Sequence, residues 1–237
     1  MKLLLRVLYL GVFILAAKSS VLPVEKCHLD DSKCMLPAYQ KMVPIFIGGM
    51  PEFGVEKLES IDDVSFDLSG LIFKLKNSSI KGLETTIMDK VKWDLKKKTI
   101  DLQFHFDCVL QGDYTATGKI LILPIDGDGK MKLKLKNLSI NLKCHYDIEK
   151  KADGKEYVRF KNYSFDYDVK GKADYRMTNL FKGNKELSDN IGEFINNNSI
   201  EITKEFGGYL LEKVATQILK NCNTLFSTVA ISDVAIL

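Results

Sequence analysis

The chain has 237 residues, 46% hydrophobic and 10% aromatic, which is enough apolar side chain for a core and excludes global disorder. Its formal charge is +3, but Lys2, Arg6 and Lys18 fall in the first 19 residues; without them the 34 basic residues become 31 against 31 acidic ones, a balance of zero. That balance lacks the basic excess that nucleic-acid binding draws on and offers no attraction to anionic membranes, so neither nucleic acid nor stable membrane association is expected.

The first segment reads as a secretory leader. Lys2 and Arg6 flank Leu3-Leu4-Leu5, an apolar run follows from Val7 to Ala17, and small residues stand at −3 and −1 of a cut after Ser19. The run is too short for a bilayer, which takes about twenty apolar residues. The expectation is a signal peptide over 1–19 and a single secreted, extracellular domain over 20–237.

Cysteines come next, and an oxidising compartment governs their reading. Cys27 and Cys34 enclose a polar six-residue loop, a natural short disulfide. Cys108 and Cys144 lie in strand-like segments and Cys222 in a helical one; a bridge from Cys222 to either strand would leave one free thiol. A weak helix follows over 31–46, with Pro37 early and Pro44 near its end.

The middle of the chain alternates with period two. Val91 and Trp93 lead to the turn Lys96-Lys97-Lys98. From Thr99 to Gln111, Ile100, Leu102, Phe104, Phe106, Cys108 and Leu110 share one face, the signature of a half-buried antiparallel strand. Tyr114 to Leu123 reads as another strand, ended by Pro124 and a turn at Asp126-Gly127-Asp128-Gly129. A Lys-Asn-x-Ser pattern recurs at Asn77, Asn137 and Asn162, and at each one the apolar phase flips. A strand that keeps one inner face through such a flip needs an extra residue, a β-bulge, and bulges bend strands. The alternative is three pairs of short strands joined by Asn-Ser turns. The same asparagines, with Asn197, are N-glycosylation acceptors in a secreted chain.

After Gly183 the texture becomes helical. Residues 184–197 form a short helix, and Ser199 can cap a longer one to about 227, with a stripe through Ile202, Phe206, Tyr209, Leu210, Val214, Ile218, Cys222 and Leu225. Gly207-Gly208 inside it marks a close contact or a kink.

Catalytic patterns are missing. There is no Gly-x-Ser-x-Gly, no His-Glu-x-x-His and no Gly-rich phosphate loop. His105 with Cys108, and Cys144 with His145, point to opposite faces of a strand, so no zinc site forms, and Asp126–Gly129 lacks the rest of a calcium loop. The reading is a non-enzyme without cofactor or metal, whose apolar interior suits a carrier of small hydrophobic molecules.

Five motifs then carry a family resemblance. Cys27-His-Leu-Asp-Asp-Ser-Lys-Cys34, Gly49-Met-Pro-Glu-Phe-Gly-Val-Glu-Lys-Leu58, Gly118–Gly129, Asp153-Gly-Lys-Glu-Tyr157 and Asn179-Leu-Phe-Lys-Gly-Asn-Lys-Glu-Leu187 running to Asn198 resemble, in order, the insect takeout and juvenile-hormone-binding-protein family, with the takeout signatures the better match. The resemblance implies an α+β, TULIP-type fold: a long C-terminal helix wrapped by a strongly curved antiparallel sheet around an internal hydrophobic tunnel. It implies the Cys27–Cys34 bridge and offers Cys144 and Cys222 as counterparts of a second, strand-to-helix bridge. It also implies extracellular carriage of a terpenoid such as juvenile hormone, a carotenoid, a fatty acid or a related lipid, with a receptor or carrier partner as a further expectation. The alternatives are lipid transfer to and from membranes, or a ligand-free signalling or structural partner. The inward residues Phe104, Phe106, Tyr114, Leu133, Leu135, Tyr146, Phe165, Phe194, Phe206 and Tyr209 are the candidate lining, and Tyr114, Tyr146 or Tyr209 is a candidate orienting hydroxyl.

Overall fold

A computed structural model describes Leu22 and residues 25–237; the predicted leader lies outside the described residues. In chain order the elements are β1 (Cys27–His28), α1 (Ser32–Gly48), β2 (Val64–Leu68), β3 (Leu71–Lys81), β4 (Ile87–Asp94), β5 (Thr99–Ile120), β6 (Leu123–Lys150), β7 (Glu156–Val169), β8 (Ala173–Met177), α2 (Lys185–Asn197), α3 (Ser199–Thr228), α4 (Ile231–Val234) and β9 (Ala235–Ile236). Strand β1 pairs with β9, which ties the N-terminal disulfide loop to the C-terminus.

The spine is the β5–β6 hairpin, paired from Thr99↔His145 to Ile120↔Leu123. One edge of β5 is shared end to end by β4 and β3, with β2 outside β3. The free edge of β6 is shared by β7 and β8. The result is an antiparallel sheet of seven strands among the described residues.

All three phase flips are bulges. The register slips between Lys76 and Ser79 in β3, between Leu138 and Leu135 in β6, and between Tyr163 and Phe160 in β7, each with one extra residue on the strand that holds the Lys-Asn-x-Ser pattern. Asn77 and Asn137 take left-handed backbone there, at φ 47° and 50°, a conformation asparagine tolerates better than other side chains. A fourth bulge lies in β4 between Met88 and Lys90. The strands are therefore continuous and bent, and short separate pairs are ruled out.

The hairpin tip differs from expectation. The turn falls at Leu121-Ile122, with Leu121 at φ 54°, and Asp126–Gly129 is strand. Its glycines serve close approach: a Cβ on Gly127 would lie 2.5 Å from the Asn179 carbonyl oxygen, and one on Gly129 would lie 2.5 Å from that of Thr178.

The helices match the capping chemistry. The Asp31 carboxylate accepts from the backbone N–H groups of Lys33 and Cys34 to open α1, and the Asn184 side chain accepts from Leu187 N–H to open α2. Ser199 is the first residue of α3 rather than its cap, and its carbonyl accepts from the Thr203 hydroxyl. α3 has 30 residues and so runs about 45 Å across the concave face of the sheet.

Two large apolar clusters fill the space beneath it, and a third, small one around Met50, Val55, Leu225 and Val229 packs at its C-terminal end. The first gathers β2, β3, β8, α2, the hairpin half of β5–β6 and the first half of α3. The second gathers α1, β4, β7, the far half of β5–β6 and the end of α3. Phe104 and Leu142 pack against both. No helix among the described residues is long and apolar enough to cross a membrane.

Candidate functional site

Period-two alternation on β5 and β6 turns Phe106, Cys108, Leu110, Leu133, Leu135 and Leu138 toward α3. The helix answers with Thr203, Gly207, Leu210, Leu211 and Val214, at helical spacing, and Ile61, Ile80 and Leu83 close one side. Between these surfaces lies a slot of about 40 Å³. A water needs about 10–15 Å³ and two or more polar partners, so a slot lined this way is dry. Thr203 is the one hydroxyl in its wall, and that group is engaged: it donates to the Ser199 carbonyl at 2.7 Å and meets the Tyr175 hydroxyl at 2.8 Å.

Of the predicted lining residues, the structure brings Phe106, Leu133 and Leu135 to the slot. Phe104 stacks on Phe106 at 6.2 Å and stands at the waist between the two clusters. Phe165 packs against the first cluster, Phe206 is buried in it, and Phe194 is half-buried on α2. Tyr209 is 39% exposed and stacks on Phe66 at 4.5 Å, at the rim rather than inside. Tyr114 is buried, but its hydroxyl donates to the Thr178 carbonyl at 2.7 Å and is not free for a ligand.

Tyr146 behaves differently. It sits in the second cluster, edge-on to Trp93 at 4.8 Å and 2% exposed. Its hydroxyl is buried without a hydrogen-bond partner, as is the Oε1 of Gln217. Gln217 stands on α3 between Val214, in the slot wall, and Cys222, against the second cluster. Nearby, the Trp93 indole donates to the Tyr39 hydroxyl at 3.2 Å, and burial raises the pKa of both Tyr39 and Tyr146.

The cysteines divide as follows. Cys27 and Cys34 are bonded, with Cα atoms 5.7 Å apart, and Cys108, Cys144 and Cys222 are free thiols. The strand-to-helix bridge offered for Cys144 and Cys222 is thus not formed, although both belong to the second cluster. Burial pushes Cys108 and Cys222 up to about 12 and Cys144 to about 11, which keeps them protonated and poor as nucleophiles or metal ligands. Among the described residues, no three His, Cys, Asp or Glu side chains gather where a metal ion could be held. His105 instead pairs with Asp89 at 2.8 Å on the outer face.

Sequence reasoning did not name Ile61, Ile80, Leu83, Cys108, Leu110, Leu138, Thr203, Gly207, Leu210, Leu211 or Val214 as lining, nor Gln217, although Cys108 and Leu110 stand on the predicted inner face of β5 and Val214 in the helical stripe. Leu210 was visible in the helical stripe and Leu138 and Ile80 in the phase flips. Ile61 stands in irregular backbone and Leu83 in a single 3-10 turn, both too short for periodicity to mark a face.

Comparison with known proteins follows this geometry. A model of the family described as haemolymph juvenile hormone binding protein (JHBP) matches residues 7–235. The crystal structure of Epiphyas postvittana Takeout 1 is similar at 49% identity with a TM-score of 0.88, covering 90% of this chain and 100% of that one. The circadian clock-controlled protein daywake of Drosophila melanogaster is 26% identical over 194 residues, which cover 73% of this chain and 72% of its own. The juvenile hormone-binding protein of Manduca sexta is 23% identical over 139 residues, 55% of this chain and 58% of its own.

Proposed function

Because the chain belongs to the haemolymph juvenile hormone binding protein family, we propose that it is an extracellular carrier of one small hydrophobic molecule, held between α3 and the concave face of the sheet. The family is one of hydrophobic-ligand binders, and its Manduca sexta relative is named for the hormone it binds. The observation that carries the finer reading is two buried polar atoms without partners, Tyr146 Oη and Gln217 Oε1, whereas the buried Thr203 and Asn221 side chains are hydrogen-bonded. Leaving such a group unpaired costs about 1–3 kcal/mol. A ligand oxygen beside Tyr146 accepts a hydrogen bond from its hydroxyl, and a ligand hydroxyl that reaches Gln217 donates one to Oε1. The class that fits is therefore an oxygenated isoprenoid, fatty acid or related lipid.

The slot of about 40 Å³ is far smaller than such a ligand. Loading therefore requires α3 and the Leu210–Val214 side chains to part from the sheet, opening a path past Phe104 toward Tyr146. If a ligand of this kind lost about 400 Å² of apolar surface, the gross gain would be about 10 kcal/mol. Ordering and opening costs remove several of those, leaving micromolar to nanomolar affinity. The protonated thiols support a carrier rather than an enzyme, with no cofactor invoked. The small slot favours one rival, a ligand-free protein that acts through a partner.

The test is native extraction of the protein from its natural secretion, with mass spectrometry and an absorption spectrum. A stoichiometric oxygenated lipid, isoprenoid or pigment supports carriage and names the ligand class. A protein that carries none and takes up neither juvenile hormone, fatty acids nor carotenoids sinks the carrier reading in favour of the partner-binding one.

A further inference from the structure

A second concavity, of about 730 Å³, lies on the outer face of the sheet and takes no part in the site above. Two rows of polar side chains cross β3, β5, β6 and β8 in it, with Met131, Tyr175 and Met177 supplying apolar surface between them. One row is Ser79, Gln111, Lys132 and Arg176, aligned by the strand registers Ser79↔Gln111, Gln111↔Lys132 and Lys132↔Arg176. The other is Asn77, Asp113, Lys130 and Thr178: the Asn77 amide donates to Asp113 at 2.9 Å, Lys130 pairs with the same carboxylate at 2.5 Å, and the backbone N–H of Lys130 donates to the Thr178 hydroxyl at 2.9 Å. α2 walls the far end with Ser188, Asp189 and Gly192.

The chemistry of this floor is mixed. Hydroxyls, amides, carboxylates and cations alternate, and acids already answer most of the cations: Lys130 is paired with Asp113 and Arg176 with Asp174. That balance suits neither a phosphate nor an apolar partner. It suits a neutral molecule with many hydroxyls, each both donor and acceptor. Three strand intervals of about 4.8 Å make the floor about 14 Å long, enough for a short run of sugars.

Asn77 starts the groove and is also the acceptor of the sequon Asn77-Ser78-Ser79. It sits on a bulge with left-handed backbone, exposed on the outer face, and its amide is oriented by Asp113. We infer that Asn77 carries an N-linked glycan whose first sugars lie in this groove, over Gln111, Asp113, Lys132 and Arg176. The strand bulge supplies the attachment point and the sheet supplies the cradle. This rests on passage through the secretory route, as extracellular carriage does, but not on any bound lipid.

The experiment is secretion of the full chain from insect cells, followed by glycopeptide mass spectrometry and timed trimming of the native protein with an endoglycosidase that leaves one sugar on asparagine. The expected result is an occupied Asn77 whose glycan is trimmed about tenfold more slowly than in the double variant Gln111→Ala/Lys132→Ala, the effect of two or three lost hydrogen bonds. An N-terminal peptide that begins after the leader shows that the chain took the secretory route. A bare Asn77, or a chain that stays unsecreted, overturns the proposal. So does an Asn77 glycan trimmed at equal rates in the two proteins. A glycosylated protein without bound lipid would leave this inference standing while removing the carrier reading.

Discussion

Asn223 of α3 closes on Phe160 of β7 in both directions: the Phe160 N–H donates to the asparagine Oδ1 at 2.8 Å, and the asparagine Nδ2 donates to the Phe160 carbonyl at 3.0 Å. The amide takes the place a neighbouring strand would fill, at the point where β7 bulges. The device recurs. Asn196 of α2 holds Tyr175 of β8 through bonds of 2.8 Å each way. Gln40 of α1 donates to the Thr86 carbonyl at 2.9 Å and accepts from the Met88 N–H of β4 at 2.8 Å. Three edge strands are thus each capped by an amide from a different helix, which both blocks edge-to-edge association and fixes the helices on the sheet that they must cover.

Removing a clamp strands a strand's N–H and carbonyl, at a part-buried edge for Asn223 and at an exposed one for Asn196. Asn223→Ala is expected to cost about 1–3 kcal/mol and Asn196→Ala about 0.5–1.5 kcal/mol. The two sites clamp different strands from different helices, so the double variant should show the sum to within about 0.5 kcal/mol. Urea unfolding measures this. Two single variants as stable as the parent would show the clamps to be decorative.

Gly207 and Gly208 are adjacent on α3 but differ in their room. The Tyr167 hydroxyl donates to the carbonyls of Thr203 and Lys204 at 3.1 and 2.9 Å, which lays its ring against the glycines. A Cβ on Gly207 would meet Thr203 Cγ2 at 3.3 Å and the Tyr167 hydroxyl at 3.4 Å, whereas one on Gly208 would meet Tyr167 at 3.6 Å, an ordinary contact. Gly208→Ala should therefore stabilise by about 0.5–1 kcal/mol through helix propensity. Gly207→Val should destabilise by about 1–3 kcal/mol by pushing Tyr167 off the helix. Thermal unfolding of the pair decides it, and equal effects at the two positions would refute the contact.

Much of this architecture is legible in the chain. Phase flips at Asn77, Asn137 and Asn162 locate bulges if the strands are continuous; the alternative of short strand pairs joined by Asn-Ser turns fits the same alternation and is excluded by the observed registers. The Val214–Leu225 stripe likewise shows which face of α3 is covered. The binding slot is harder to read, because a tunnel wall and a packed core share one apolar pattern: Phe106 and Phe206 look alike in sequence, yet the first lines the slot and the second packs on Phe66 at 5.9 Å. Alternation names a face and not the element that covers it, so the partners of Tyr114 and the isolation of Tyr146 depend on long-range placement. The hairpin tip was misplaced because Gly127 and Gly129 look like turn residues, while their task is to admit the Thr178–Leu180 backbone.

The three free thiols set an alkaline limit. Folded, Cys108 and Cys222 hold their protons to about 12 and Cys144 to about 11, whereas an unfolded thiol releases its proton near 8.5. The folded state then binds more protons than the unfolded one, so stability is full below pH 8 and falls as pH rises above about 9, by up to about 1.4 kcal/mol per pH unit for each thiol. Denaturant midpoints from pH 7 to 10.5 test the slope. In the same range iodoacetamide should leave Cys108 and Cys144 unmodified in the native protein and label them after unfolding; rapid native labelling of either would contradict its burial.

Tyr146→Phe separates a structural role from a ligand-facing one. The parent hydroxyl is buried and unpaired, so its removal takes away a desolvation penalty with nothing lost in exchange. The variant should be as stable as the parent or more so, by about 1 kcal/mol. Binding should respond in the opposite sense. An oxygenated isoprenoid or fatty acid that accepts from Tyr146 should bind about tenfold more weakly, the equivalent of about 1.4 kcal/mol, while a pure hydrocarbon of the same length should bind the two proteins alike. Fluorescence competition with paired oxygenated and hydrocarbon ligands measures that difference. A variant that loses stability would mean that Tyr146 has a partner within the fold; one that keeps its affinity for both ligands would move the polar contact to Gln217.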